Sequence, residues 1–97
     1  MNLAIGDFEG LVNELFEVLA EQEGEVFTRL QLTEVSRLRH GHPDRAEPFS
    51  LIFVGSRDRA LDQETYMLNH PTLGHMEIFL VPIGEKDDFR SYQAIFN

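Results

Sequence analysis

The chain contains no cysteine and no tryptophan, and basic residues are few. Without cysteine it forms no disulfide bridge and has neither a thiolate nucleophile nor a cysteine-ligated zinc ion. Its 8 Lys and Arg residues are outnumbered by 17 Asp and Glu residues, which gives a formal net charge of −9. Because nucleic-acid phosphates and anionic membrane surfaces repel such a charge, we expect neither as a partner and favour a basic or neutral protein.

Long apolar runs are also absent from the sequence. No stretch approaches the roughly 20 apolar residues of a membrane-spanning helix. The N-terminal residues MNLAIGDFEG have neither the basic region nor the apolar region of a signal peptide, so the expected location is the cytoplasm. With 97 residues, the chain is expected to fold as one β-rich domain that spans residues 1–97.

The clearest structural pattern lies in residues 63–84. Two apolar runs of β type are separated there by Asn-His-Pro-Thr-Leu-Gly at positions 69–74, which is typical of a chain reversal. Pro71 restricts φ in this turn, and Gly74 can adopt the positive φ that other residues avoid. The sequence therefore predicts an all-β fold, mainly an antiparallel small barrel or sandwich of about six strands, with a short N-terminal helix.

Turn and loop residues divide the rest of the chain into further strands. Within residues 26–38 the apolar positions change phase between Leu32 and Val35, which predicts a bulge near Thr33 and Glu34. The strands predicted after the N-terminal region are residues 26–38, 49–54, 65–69, 75–81 and 90–96.

Two of these strands are expected to end at residues that interrupt β structure. Gly55 is expected to stop the strand at 49–54. Pro82 lacks a backbone N–H and is therefore expected at a strand end or edge, before a turn over residues 84–88.

The N-terminal region is compatible with two structures. The apolar residues from Phe8 onward recur at helical spacing, so periodicity favours a helix over residues 8–22. Phe16 and Val18 also alternate as in a strand, and a strand over residues 14–20 would give the next strand an antiparallel neighbour. The residues alone leave both structures open.

Two predicted strands carry apolar residues on both faces. These are Leu-Ile-Phe-Val at 51–54 and Ile-Phe-Leu-Val at 78–81, and a solvated antiparallel sheet would expose half of them. One explanation is that the N-terminal helix covers the second face or that the sheet closes into a small barrel. The other is a surface for a partner or for self-association, formed in part by Ile52, Val54, Phe79 and Val81.

The order of short motifs along the chain resembles one known family. The motifs are Phe8-Glu9-Gly10-Leu11-Val12, Phe16-x-Val18, Leu30-x-Leu32-x-Glu34-Val35, Glu47-Pro48-Phe49-Ser50-Leu51-Ile52-Phe53, Gln63-x-Thr65-Tyr66, His70-Pro71-x-Leu73-Gly74, Phe79-Leu80-Val81-Pro82-Ile83-Gly84 and Tyr92-x-Ala94-x-Phe96-Asn97. Over nearly the whole chain they are similar to the bacterial family DUF6916. The resemblance implies a stand-alone β domain without an assigned activity.

The same resemblance bears on the ambiguous N-terminal region. It favours a short helix followed by a strand, because family members carry turn residues near Asn13, where a glycine would be typical. It also raises an alternative function, that of an accessory protein of a phage-tail-like or fibre system.

The polar loop at 39–48 contains a candidate metal site. His40, His42 and Asp44 supply the imidazole and carboxylate ligands that suit zinc. The loop is rich in Gly, Pro and Arg, however, and a metal site needs three or four ligands held by supporting hydrogen bonds. We therefore expect no metal ion and no other cofactor, and the alternative is a small metal-dependent enzyme that uses these three residues.

Two catalytic arrangements can be assembled from the remaining polar residues. Ser50, His70 and Asp62 match the residue types of a nucleophile, a base and an acid, but no elbow motif or oxyanion loop accompanies them. Glu64 and Glu77 could act as paired carboxylates, although glutamates are common at solvent-facing strand positions. We expect no catalytic residue among these five.

His70 and His75 flank the predicted hairpin turn. If their rings lay close together, they could act as a pH switch near neutrality. A histidine in a turn usually forms local hydrogen bonds, and this is the role that we expect here.

Acidic and basic residues are unevenly distributed along the chain. Residues 1–28 contain acidic residues but no Lys or Arg, and most arginines lie between 29 and 59. This predicts a dipolar surface, which favours solubility and could support head-to-tail association or docking to a basic partner. Together the patterns predict a non-catalytic binding or assembly module whose partner is another protein or a second copy of the chain.

Overall fold

The structure is a computed structural model that describes residues 3–20, 24–38 and 47–97. Six antiparallel strands close into a barrel, as the sequence predicts. None of the described helices is long and apolar enough to span a membrane. The elements are α1 (Gly6–Glu9), β1 (Leu15–Leu19), β2 (Val26–Arg37), β3 (Phe49–Ser56), a 3₁₀ turn (Arg57–Arg59), β4 (Glu64–His70), β5 (Gly74–Lys86) and β6 (Phe89–Phe96).

The strands follow the order β1-β2-β3-β6-β5-β4 around the barrel, and β4 returns to pair with β1. Alternation along each strand places one face inside, so Phe16 pairs with Leu30 and Phe53 pairs with Tyr92 within the core. Burial of these side chains supplies the main driving force for folding. The buried apolar residues are Phe8, Phe16, Val18, Leu30, Leu32, Phe49, Leu51, Phe53, Leu61, Leu68, Met76, Ile78, Leu80, Tyr92 and Ala94.

The short helix α1 closes one end of the barrel. Its Phe8 is fully buried, and the centroid of its ring lies 5.8 Å from those of both Phe49 and Phe96. Phe49 and Phe96 are themselves the last pair between β3 and β6, and their rings stack 4.7 Å apart. The helix therefore does not cover the outer face of β3 and β5, and that explanation for their second apolar face is wrong.

The ambiguous N-terminal region forms a short helix, a turn and a strand, so a helix over residues 8–22 is wrong. Asn13 turns the chain with a φ of 77°, in the left-handed region that favours glycine and that asparagine tolerates. Its N–H donates to the carbonyl of Leu32 at 2.6 Å, which aligns the start of β1 with β2. The strand forms because its buried alternate residues, Phe16 and Val18, reach the core only from an extended backbone.

The predicted bulge in β2 is confirmed. The register between β2 and β3 shifts between Leu32 and Glu34, which returns the apolar residue Val35 to the inner side opposite Leu51. Gly55 does not end β3, however, since the strand continues to Ser56. A Cβ atom at Gly55 would overlap the side chain of Leu30, so this glycine permits a close approach between strands and is no terminator.

The strand β5 is longer than predicted. It passes Pro82 and continues to Lys86, with a register shift against β6 between Pro82 and Gly84. Pro82 pairs with Tyr92 and Gly84 pairs with Ser91, so Ile83 is the extra residue of a bulge that lets the strand continue past the proline. The expected turn over 84–88 is therefore confined to the residues after Lys86, where Asp87 has a φ of 57°.

Candidate functional site

The candidate metal ligands His40, His42 and Asp44 lie outside the described residues, so the metal hypothesis stays a prediction. Within residues 3–20, 24–38 and 47–97, no three His, Asp or Glu side chains are grouped so that they could hold a metal ion.

In the hypothetical Ser50–His70–Asp62 set, the histidine forms its hydrogen bonds with residues outside the set. His70 is 2% exposed, its Nε2 lies 2.8 Å from Glu14 Oε1, and its Nδ1 accepts the backbone N–H of Thr72 at 3.1 Å. Because both ring nitrogens are engaged, neither can act as a base for Ser50. The structure therefore does not assemble this set.

His70 instead holds two parts of the barrel together. Since Nδ1 accepts a hydrogen bond from Thr72, the ring proton resides on Nε2 and is donated to the carboxylate of Glu14. The ring also packs on Phe16, with centroids 4.7 Å apart. The expected local hydrogen bond is present, whereas His75 lies exposed on β5 opposite Asn69 and does not share the buried site.

Glu64 and Glu77 do not form a carboxylate pair. Glu64 pairs with the buried Leu80, and Glu77 pairs with Met67 three positions along the same hairpin. Since successive residues of a strand point to opposite faces, the two glutamates lie on different sides of the sheet. Both are exposed, which is the solvent-facing placement that the sequence favoured.

The acidic N-terminal residues and the arginines of the middle segment are neighbours in space. Arg29 pairs with Glu17 at 3.6 Å, and Arg37 lies 3.6 Å from Glu9 and 2.9 Å from Glu47. The hairpin of β1 and β2 explains the first pair, because it places Glu17 directly opposite Arg29. Arg29 and Arg37 therefore do not stand apart from the N-terminal acidic residues, whereas Arg39 and Arg45 lie outside the described residues and the dipolar surface as a whole stays a prediction.

The four predicted interface residues share one outer surface of the barrel. Ile52 on β3 pairs with Gln93 on β6, and Gln93 pairs with Val81 on β5, so one row crosses three strands. We call this surface the β3–β6–β5 face. It is formed by the outward side chains of Ile52, Val54, Phe79, Val81, Ser91, Gln93 and Ile95, and none of these is charged.

Large apolar side chains on this face are in contact with solvent. Phe79 is 50% exposed and Ile95 is 54% exposed, while Ile52, Val54 and Val81 are half-buried. Ile95 was not among the predicted interface residues. The sequence did indicate that Ile95 faces outward, because this apolar residue alternates with Ala94 and Phe96, which belong to the opposite face.

A second surface feature is an open groove of about 830 Å³ where β1 meets β4. These strands share two residue pairs in the described chain, Glu17 with Asn69 and Val18 with Leu68. From Met67 back to Glu64, β4 has no β1 partner in the described chain, so the strands diverge and leave the opening. The sequence did not indicate this groove.

The β1–β4 groove combines apolar and acidic side chains. No Lys or Arg is among its described lining residues. Arg59 is close by, with its guanidinium carbon 5.2 Å above the centre of the Phe27 ring. The apolar lining includes Leu19, Phe27, Leu61 and Met67, and the acidic lining consists of Glu25, Asp62 and Glu64.

Two tyrosines fix the wall of the groove that precedes β4. The buried Tyr92 accepts the backbone N–H of Leu61 at its hydroxyl oxygen, and the hydroxyl of Tyr66 donates to the carbonyl of Asp62 at 2.7 Å. Burial raises the pKa of the Tyr66 phenol above its ordinary value of 10.0, and the nearby carboxylates of Glu64 and Asp62 raise this pKa further.

Comparison with known proteins identifies a family and no activity. The family model "Domain of unknown function (DUF6916)" matches residues 3–96. No curated protein and no solved structure matches the chain. Because the family match covers nearly the whole barrel, from the residues before α1 to the end of β6, the chain belongs to the DUF6916 family of domains of unknown function.

Proposed function

We propose that this protein is a non-catalytic assembly module that self-associates through the β3–β6–β5 face. The observation that carries the proposal is the 50% and 54% exposure of Phe79 and Ile95 on a face without a charged side chain. An isolated barrel gains no stability from large apolar side chains in water, whereas their burial against a partner is favourable.

A second copy of the chain is the occupant that suits this face. In a two-fold dimer the same surface lies on both sides of the contact, so each residue approaches its symmetry mate or a close neighbour. A face that carries carboxylates would repel its own copy. An uncharged apolar face is complementary to itself, and in a chain of net charge −9 it is where two copies meet with the least repulsion.

The margins of the face have the polar character of an interface rim. Glu34 on β2 pairs with Ile52 at one margin, and the exposed Glu77 lies two residues before Phe79 on the same side of β5 at another. Within the face, Gln93 and Ser91 supply polar groups between the apolar residues. An apolar centre with charged residues at its edge is the usual anatomy of a protein interface.

The proposal is tested by sedimentation equilibrium with a matched pair of variants. Ile95→Glu and Leu15→Glu introduce the same charge at residues that are each 54% exposed, but Leu15 lies on β1, away from the face. We expect a concentration-dependent dimer for the wild type and for Leu15→Glu. We expect Ile95→Glu to weaken the dimer by at least about tenfold, because a charge would be buried without a partner.

The controls separate loss of assembly from loss of folding. Circular dichroism of Ile95→Glu should match that of the wild type, since the side chain points outward. A wild-type protein that stays monomeric at all concentrations would overturn the proposal. So would an equal weakening by Leu15→Glu and Ile95→Glu, since a general charge effect would then explain both.

A further inference from the structure

The β1–β4 groove exposes a length of strand edge. The segment Glu64–Met67 of β4 is hydrogen-bonded to β5 on one side, but in the described chain it has no strand on the other. Every second residue of a strand directs its N–H and C=O away from one neighbour and towards the opposite side. Part of the backbone of this segment therefore faces the groove, and unpaired strand edges of this kind accept further strands.

The side chains around this edge specify what could pair with it. Leu19, Leu61 and Met67 offer apolar contacts, while Asp62 and Glu64 place carboxylates beside the start of β4. Carboxylates attract Lys and Arg and repel phosphate groups and acidic peptides. The matching occupant is an extended peptide segment in which apolar residues alternate with basic ones.

The groove is also ordered in advance of binding. The hydrogen bonds from Leu61 to Tyr92 and from Tyr66 to Asp62 hold the segment before β4, and Ser56 accepts the N–H of Asp58 at the preceding turn. Because these hydrogen bonds hold the segment in one conformation before binding, it loses little conformational entropy when a ligand docks.

We propose that the β1–β4 groove binds an extended, basic segment of a partner protein as an added strand alongside β4. Backbone hydrogen bonds to the Glu64–Met67 edge would align the segment, and the three lining carboxylates would select its Lys and Arg side chains. The inference does not depend on self-association. In the strand order β1-β2-β3-β6-β5-β4, the junction of β1 and β4 lies across the barrel from that of β3 and β6.

The test uses three synthetic peptides and the amide spectrum of the intact, isotope-labelled chain. The first peptide, of about six residues, alternates Val and Lys; the second replaces Lys by Glu; the third keeps Lys but carries N-methyl groups on alternate amides. We expect the first to shift resonances of residues 18–20, 24–27 and 60–67. We expect the second not to bind, and the third to bind at least about tenfold more weakly, because methylation removes the backbone donors without changing charge.

A matched pair of variants locates the charge contribution. Glu64→Lys alters a carboxylate of the groove, whereas Glu77→Lys makes the same change on β5, outside the groove lining. We expect the first peptide to bind Glu64→Lys about tenfold more weakly and to bind Glu77→Lys within about twofold of the wild type.

Three results would overturn the inference. Equal binding of the N-methylated and unmodified peptides would show that charge alone drives association. Resonance shifts confined to the β3–β6–β5 face would place the peptide elsewhere. Absence of any shift at about 1 mM of the first peptide would mean that the groove takes no such strand.

Discussion

At the scale of single residues, the closure of the barrel depends on side chains in demanding positions. Asn13 adopts a φ of 77° at the turn into β1, and His70 is buried with both ring nitrogens hydrogen-bonded. The donor to His70 is local, but its acceptor, Glu14, lies 56 residues away in the sequence. The spacing of residues could predict the hydrogen bond from Thr72 to His70. It could not predict the one from His70 to Glu14, because that bond exists only once β1 and β4 meet.

A prediction at the same scale concerns Tyr66. Burial, reinforced by Glu64 and Asp62, raises its pKa in the folded chain above the 10.0 of an exposed tyrosine. The folded state thus holds the phenol proton more firmly than the unfolded state does. The corresponding stability is present below pH 10.0 and is lost as the pH rises from there through the folded pKa.

Urea unfolding from about pH 8 to about pH 11 measures this contribution by comparison of the wild type with Tyr66→Phe. At the lower pH the variant should be less stable by about 1 kcal/mol, because it lacks the hydrogen bond to Asp62. This difference should shrink as Tyr66 ionises, while the other titrating groups affect both proteins equally. A constant difference across the range would contradict the raised pKa.

At the scale of elements, α1 stabilises the barrel through one side chain. Phe8 is fully buried among Phe16, Phe49 and Phe96, whereas Phe89 is 56% exposed. We expect Phe8→Ala to lower the free energy of unfolding by about 3–5 kcal/mol, because it leaves a cavity at the end of the barrel. Phe89→Ala, the control, should cost no more than about 0.5 kcal/mol. Comparable losses for the two variants in urea melts would show that α1 does not close the barrel.

The sequence predicted strands in which apolar and polar residues alternate. It did not predict the features that depend on how one strand pairs with another. The change of phase after Leu32 predicts the bulge in β2, because the core requires Val35 on the inner side. Pro82 and Gly84 suggested an end to β5, but they lie at a bulge that the register of β6 imposes. Nothing in the spacing of residues says how many pairs β1 and β4 form, so the groove between them could not be foreseen.

The candidate interface was predictable in part for a similar reason. Strands with two apolar faces identified Ile52, Val54, Phe79 and Val81, and the barrel brings all four to its outer surface. Ile95 joins them because β6 inserts between β3 and β5, an order that does not follow the sequence. The sequence of a single strand thus indicates which of its faces is exposed. The order of the strands decides which residues from different strands meet on that face.

At the scale of the whole molecule, charge and apolar surface are separated around the barrel. The β3–β6–β5 face is uncharged, while carboxylates line the β1–β4 groove across from it. The groove residues Glu25, Asp62 and Glu64 take part in none of the described ion pairs, and the nearby Arg59 lies over the ring of Phe27. Because the two proposed binding surfaces lie on opposite sides of the barrel, occupation of one would not block the other.

The net charge of −9 makes self-association sensitive to salt. Two acidic copies repel one another over several ångströms, and raising NaCl from about 0.05 M to about 0.5 M shortens the screening distance from roughly 14 Å to roughly 4 Å. We expect the dimer dissociation constant in sedimentation equilibrium to fall by at least about threefold over this range, since an uncharged contact loses nothing to screening. Peptide binding in the groove should change in the opposite direction, because its carboxylates attract the peptide. Weakening of the dimer by salt would contradict the uncharged contact, since it would mean that ion pairs join the two copies.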